Sequence, residues 1–123
     1  MLFKRIDHVA IHVADIDHSI DFYANNFGCD KYFEHTAGPG FRIAYLKMGD
    51  TILELVNSPG EKMSGFHFCF ETSDLDAAME QLKASRIKCV TEPSETAARS
   101  PSEKGWRRAV FEGPDGEQIE LRG

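Results

Sequence analysis

Two stretches of this chain repeat one another. DHVAIHVADIDHSI, from Asp7, aligns with FHFCFETSDLDAAM, from Phe66, setting His8 on His67, Asp15 on Asp74, Asp17 on Asp76 and Ile20 on Met79 at a constant offset of 59 residues. Further on, TILELV falls on EQIELR, with Glu54 on Glu120 at an offset of 66 residues, so the second copy is about seven residues longer. A repeat constrains the fold strongly, because each copy has to build the same supersecondary unit.

Each copy begins with period-2 alternation and then changes period. Residues 5–13 alternate as a half-buried strand does, and Ile16, Ile20, Tyr23, Ala24 and Phe27 follow as an apolar stripe at helical spacing. Asp15 or Asp17 can cap that helix through its free N–H groups, and Gly28 can end it in the left-handed conformation. Strands are expected near 30–36, 41–48 and 51–57, with Gly49 and Asp50 turning between the last two. The second copy predicts a strand over 65–72 and a helix over about 74–85, with Leu75, Ala78, Met79 and Leu82 buried. Strands near 87–91, 106–112 and 117–122 follow, and GPDG at 113–116 is a turn signal. TEPSETAARSPSEKG, 91–105, reads as a long loop.

The expected fold class is α+β: two βαβββ modules, residues about 1–60 and about 61–123, in a single domain of mostly antiparallel sheet. Each sheet would carry a helix on one face. The other faces would curve around a cleft.

With 123 residues and 41% hydrophobic content, the chain can bury a core without staples. Its formal net charge of −6 argues against nucleic acid, whose phosphates call for a basic surface. No apolar run approaches the roughly 18 residues of a membrane span, and MLFKRIDHV lacks the apolar stretch of a secretory signal. Cys29, Cys69 and Cys89 form no CxxC and are odd in number, so they read as reduced thiols of a cytoplasmic protein.

Alternation sorts the strand residues by face. Val9, Ile11 and Val13 share one face of the first strand, and His8, Ala10 and His12 the other. Phe66, Phe68 and Phe70 likewise oppose His67, Cys69 and Glu71, while Leu53 and Leu55 flank Glu54 and Ile119 and Leu121 flank Glu120. The apolar faces suit the helices. The opposite faces carry one His–Glu pair per copy. Two imidazoles and two carboxylates suit a borderline divalent metal and leave coordination positions open for substrate. A single His or Glu on a strand face is more often solvated or hydrogen-bonded; the equivalence of two pairs across the repeat points to a shared partner. Cys69 reads as a small buried residue rather than a nucleophile. Arg99, Lys104, Trp106, Arg107 and Arg108 form a local basic cluster, either an attractor for a substrate carboxylate or phosphate or an ordinary solvated strand.

IDHVAIHVADIDHSIDFYANNFG, ILELV, GFHFCFETSDLDAAMEQLK and GPDGEQIEL together resemble the vicinal oxygen chelate superfamily, and most closely glyoxalase I, over essentially the whole chain. The resemblance implies the glyoxalase/bleomycin resistance fold and a cytoplasmic homodimer acting on a small-molecule substrate. It implies one divalent ion per site (Ni, Zn or Co, with Mn or Fe as alternatives) held by His8, Glu54, His67 and Glu120. Glu54 at its position favours the glyoxalase I pattern, in which Glu120 and Glu54 transfer protons through an enediolate. His12 stands where the small bacterial enzymes carry Arg, and Ser58 where they carry Asn, so glutathione itself is not implied. His12, Ser58 and Arg108 are the candidate substrate contacts. Acyl-CoA epimerization and non-catalytic antibiotic binding are the alternative activities within the superfamily.

Overall fold

The computed structural model describes residue 2, residues 5–58 and residues 66–123. The chain divides into two compact units, Met1–Glu61 and Lys62–Gly123.

In the first unit, β1 (Val9–Val13) leads into α1 (Ile16–Phe27), followed by β2 (Asp30–Gly38), β3 (Phe41–Met48) and β4 (Thr51–Asn57). The sheet order is β1-β4-β3-β2. β4 runs parallel to β1 and antiparallel to β3, which is antiparallel to β2. Helix α1 starts where Asp15 turns extended and accepts the His18 N–H at 3.1 Å. It ends at Gly28, whose φ of 71° only glycine adopts cheaply.

The inner face of this sheet is built from Ile11, Val13, Ala44, Leu46, Leu53 and Leu55, all buried. The helix face against it differs from the expected stripe. Ile16, Ser19 and Tyr23 are its buried residues, whereas Ile20, Ala24 and Phe27 are only half-buried. Positions 16, 19 and 23 lie on one helical face, and a short serine there leaves room beside the sheet for the fully buried Tyr23 ring.

The second unit repeats the plan: β5 (His67–Glu71), α2 (Leu75–Ala84), β6 (Cys89–Glu95), β7 (Arg107–Glu112) and β8 (Gln118–Arg122), in the order β5-β8-β7-β6. Asp74 caps α2 through the Ala77 N–H at 3.0 Å. Leu75, Met79 and Leu82 are buried, as their spacing predicts, with Ala78 half-buried. Ala109, Phe111, Ile119 and Leu121 form the sheet's inner face.

Three expectations on element boundaries need correction. The first strand spans Val9–Val13 rather than 5–13, because its ladder with β4 begins at Val9 opposite Leu53. The fifth strand starts at His67, and residue 65 of the expected span lies outside the described residues. The expected 91–105 loop is shorter, since β6 continues to Glu95 and a single 3-10 turn, Pro101–Glu103, folds part of the rest. β6 is an edge strand whose register shifts around Pro93, and an edge position with a bulge tolerates proline's missing N–H.

Candidate functional site

Parallel pairing of the first and last strands brings together the His and Glu of each unit. Glu54 stands opposite Ala10 and Glu120 opposite Cys69. Each histidine lies two residues before that opposite residue, so both pairs share one diagonal geometry. His8 sits just before β1, and its Nε2 is 2.8 Å from Glu54 Oε2. His67 is the first residue of β5, and its Nε2 is 3.1 Å from Glu120 Oε2. The carboxylates are buried and the imidazoles exposed. Each unit thus presents two donors on the sheet face opposite its helix.

The surroundings of His8 suit a cation. Its Nδ1 is 3.1 Å from Asp7 Oδ2, while its Nε2 faces Glu54. A neutral ring donates through only one nitrogen. Two carboxylates on one ring are therefore satisfied by a second proton or by a cation bound at Nε2, and a ligating histidine commonly gives its other N–H to a carboxylate. The His8 contact also holds the Asp7 carboxyl below its usual range, with Arg5 adding to the effect. Among the described residues, no three His, Cys, Asp or Glu side chains cluster closely enough to hold an ion.

The remaining candidates are placed as follows. His12 is exposed on β1 opposite Val56, four residues beyond His8 on the same face. Ser58 follows β4, and its backbone N–H reaches Val13 O at 3.2 Å, extending the ladder by one step. Arg108 donates through Nε to Glu120 Oε1 at 3.2 Å.

Two other arginines of the basic cluster are paired with carboxylates of the same unit. Arg107 reaches Asp76 on α2 at 2.8 Å, and Arg99 forks onto Glu103. Cys69 is exposed, against the expectation of burial, and shares the open face of β5 with His67 and Glu71. Desolvation and the Glu120 charge nevertheless push its thiol up to about 11, which disfavours a nucleophilic thiolate.

Two features were missed in the sequence. Glu103 is buried and accepts from the Arg99 backbone N–H, from Arg99 Nε and Nη2, and from Arg122 Nη2. Arg99 hydrogen bonds hold its carboxyl down at about 2. The four-residue spacing of Arg99 and Glu103 was its one local signal. On β3, Tyr45 stands opposite Glu54, and its ring stacks on His35 with centroids 5.9 Å apart. Desolvation and the Glu54 charge push its phenol above the usual range. Alternation of Tyr45 with buried Ala44 and Leu46 was a usable signal for that face.

The Glyoxalase/Bleomycin resistance protein/Dioxygenase superfamily model matches residues 5–121. The chain belongs to this superfamily. The uncharacterized protein YwbC of Bacillus subtilis (strain 168) is 32% identical over 127 residues, covering 96% of each chain. The mitochondrial methylmalonyl-CoA epimerase of Homo sapiens is 29% identical over 102 residues, covering 72% of this superfamily member and 57% of the epimerase. Among solved structures, TnmS3, an antibiotic binding protein from Streptomyces sp. CB03234, superposes with a TM-score of 0.77 at 26% identity, over 98% of this chain and 96% of that one. The two four-stranded mixed sheets are thus the βαβββ modules of the glyoxalase/bleomycin resistance fold. Among the described residues, no helix is long and apolar enough to cross a membrane.

Proposed function

We propose that this superfamily member is a divalent-metal-dependent lyase or isomerase that moves a proton at a carbon beside a carbonyl. The observation that carries the reading is the repeated His–Glu pair, at 2.8 Å in one unit and 3.1 Å in the other. His8, Glu54, His67 and Glu120 would hold the ion. Two neutral imidazoles and two carboxylates supply a formal charge of about −2, which a divalent cation balances, and both donor types suit Ni, Zn or Co. When bound, such an ion supplies positive charge to substrate oxygens as the carbon loses its proton. Glu54 and Glu120 are the candidate proton carriers, and each is buried beside a histidine that orients it. His12, four residues along the same face from His8, is the candidate contact for more distant parts of the substrate.

The glyoxalase I-like reaction, on a thiohemiacetal, is the leading reading because a glutamate occupies position 54. Epimerization of an acyl-CoA thioester is the second, supported by the match to the human epimerase. Both begin with loss of a proton next to a carbonyl. Antibiotic binding without chemistry rests on the likeness to TnmS3. A cytoplasmic homodimer is the assembly and location that the glyoxalase I-like reading carries with it.

Deuterium exchange at the substrate carbon, followed by proton NMR, tests the shared step. Untagged protein loaded with Ni, Co, Zn or Mn is incubated in heavy water with methylglyoxal–thiol adducts or with 2-methyl acyl-CoA thioesters. Exchange with one substrate class, lost in His67→Ala, supports the proposal and selects between the two reactions. Absence of both exchange and metal uptake would favour the binding protein.

A further inference from the structure

The repeat supplies an internal comparison between two sheet faces. Across the first sheet, Ala10, Glu54, Tyr45 and Phe33 stand in one row, each opposite the next. The same row of the second sheet holds Cys69, Glu120, Val110 and Thr91. The glutamates correspond, but valine and threonine fill the places of the tyrosine and the phenylalanine. One row over, His35 stands opposite Ile43 in the first sheet, whereas Ser94 stands opposite Arg108 in the second. Both sheets form with the same strand order. Aromatic rings at these places are therefore not what the fold requires.

The rings of the first unit form one patch. Phe33 and His35 have centroids 5.6 Å apart, Phe33 and Tyr45 5.8 Å, and His35 and Tyr45 5.9 Å with planes only 15° apart. Tyr32, at the register shift between Lys31 and Phe33, adds a ring 6.4 Å from Tyr45. Tyr32 and Phe33 are each 53% exposed, on the edge strand of the sheet. Tyr45 Oη lies 3.5 Å from His35 Nε2, so the ring faces are bordered by a hydroxyl and an imidazole nitrogen that can both donate and accept.

These features select an occupant. Aromatic faces prefer offset or edge-on contact with another ring, worth more than the area buried. The polar border suits an oxygen on that ring. The neighbouring row of Val56, Ile43 and neutral His35 carries no charge, which suits an uncharged ring rather than an ion. The patch is also continuous with Glu54, since two strand spacings of about 4.8 Å put Phe33 about 10 Å from it along the row. We propose that Tyr32, Phe33, His35 and Tyr45 form a stacking site for a planar conjugated ring bearing a hydroxyl or carbonyl oxygen, and that such a ring is the part of the substrate remote from the reacting carbon. As a ligand site it needs neither ion nor reaction; its assignment to substrate rests on the proposed function.

The probe is 2-naphthol, with its saturated counterpart decahydro-2-naphthol as the control for apolar area and 2-methylnaphthalene as the control for the oxygen. Binding to the metal-free full chain is measured by calorimetry in the unaltered protein, Phe33→Leu and Tyr45→Phe. Ring stacking of about 0.5–1.5 kcal/mol should make 2-naphthol bind about 2- to 10-fold more tightly than the saturated alcohol. Phe33→Leu keeps an apolar side chain without a ring face and should reduce that preference. Tyr45→Phe keeps the ring and should weaken 2-naphthol about 2- to 10-fold while leaving 2-methylnaphthalene unchanged. Equal affinity for 2-naphthol and the saturated alcohol overturns the stacking site, as does a preference that survives intact in Phe33→Leu. Sedimentation of the same samples covers the other occupant of an exposed apolar patch. If the chain self-associates, binds no 2-naphthol and dissociates on Phe33→Leu, the patch is a contact between copies and the proposal falls. None of these readouts involves metal uptake or deuterium exchange, so the stacking site and the proposed reaction fail separately. Circular dichroism shows whether each variant folds; if Phe33→Leu does not, Tyr45→Phe decides.

Discussion

Leu55→Ala tests the packing beneath the sheet that presents Glu54. Leu55 is 0% exposed on β4, with Ile11 opposite it on β1 and Ala44 opposite it on β3. Its side chain points away from Glu54, toward the layer that contains the fully buried Tyr23. Truncation removes three carbons from a site with little capacity to collapse, because Ala44 is already small and the ladder holds both flanking strands. Buried Leu→Ala changes of this kind cost about 3–5 kcal/mol, rising with the cavity left behind. For a chain of 123 residues, an unfolding entropy of about 2.1 cal/mol/K per residue gives about 0.26 kcal/mol/K. The melting temperature should therefore fall by about 12–19 °C. Scanning calorimetry measures the shift, and urea denaturation should show a lower midpoint with an unchanged slope. Leu55→Met, which roughly conserves volume, should cost less than about 1.5 kcal/mol. A Leu55→Ala shift of less than about 4 °C, or equal losses in the two variants, would refute the assignment of Leu55 to a tightly packed inner face.

Two further predictions concern single side chains. Asp15→Ala and Asp74→Ala each remove a helix cap made at equivalent positions of the repeat; each should lower stability by about 1 kcal/mol in urea denaturation, and Asn at either site should restore most of it. Glu103 has its carboxyl held at about 2 against an ordinary 4.5, so it contributes stability that is present above about 4.5 and lost as pH falls toward about 2. Glu103→Gln should accordingly be less stable at neutral pH, and its melting temperature should fall less steeply than that of the unaltered protein across that acidic window. Parallel curves for the two would show that the Arg99–Glu103 contact is not made in solution.

Much of the site was legible because its signals are local. Strand alternation placed His8, His67, Glu54 and Glu120 on the faces opposite the helices, and the repeat singled out those four from the other polar residues. The caps at Asp15, Asp74 and Gly28 were legible for the same reason, since each acts on a backbone group within a few residues. Other features depended on distant chain segments. Ser19 was not among the expected stripe residues of α1, and only the packed sheet shows it to be on the buried face. Glu103 carried the sequence signature of a solvated loop residue, and its burial depends on Arg122, 19 residues away.

The sequence by itself determined the repeat, the βαβββ order and the alternating faces, because these follow from periods of 2.0 and 3.6 residues and from short-range caps. Tertiary structure alone decided which side chains meet. His8 touches Glu54 only because β1 lies parallel to β4 in one register, across more than 40 residues of chain, and a slip of one residue would turn Glu54 to the other face. Arg108 was visible as a charge; that it donates to Glu120 was fixed by the β7–β8 register. Periodicity encodes direction along a strand, whereas partnership between strands is set by long-range packing.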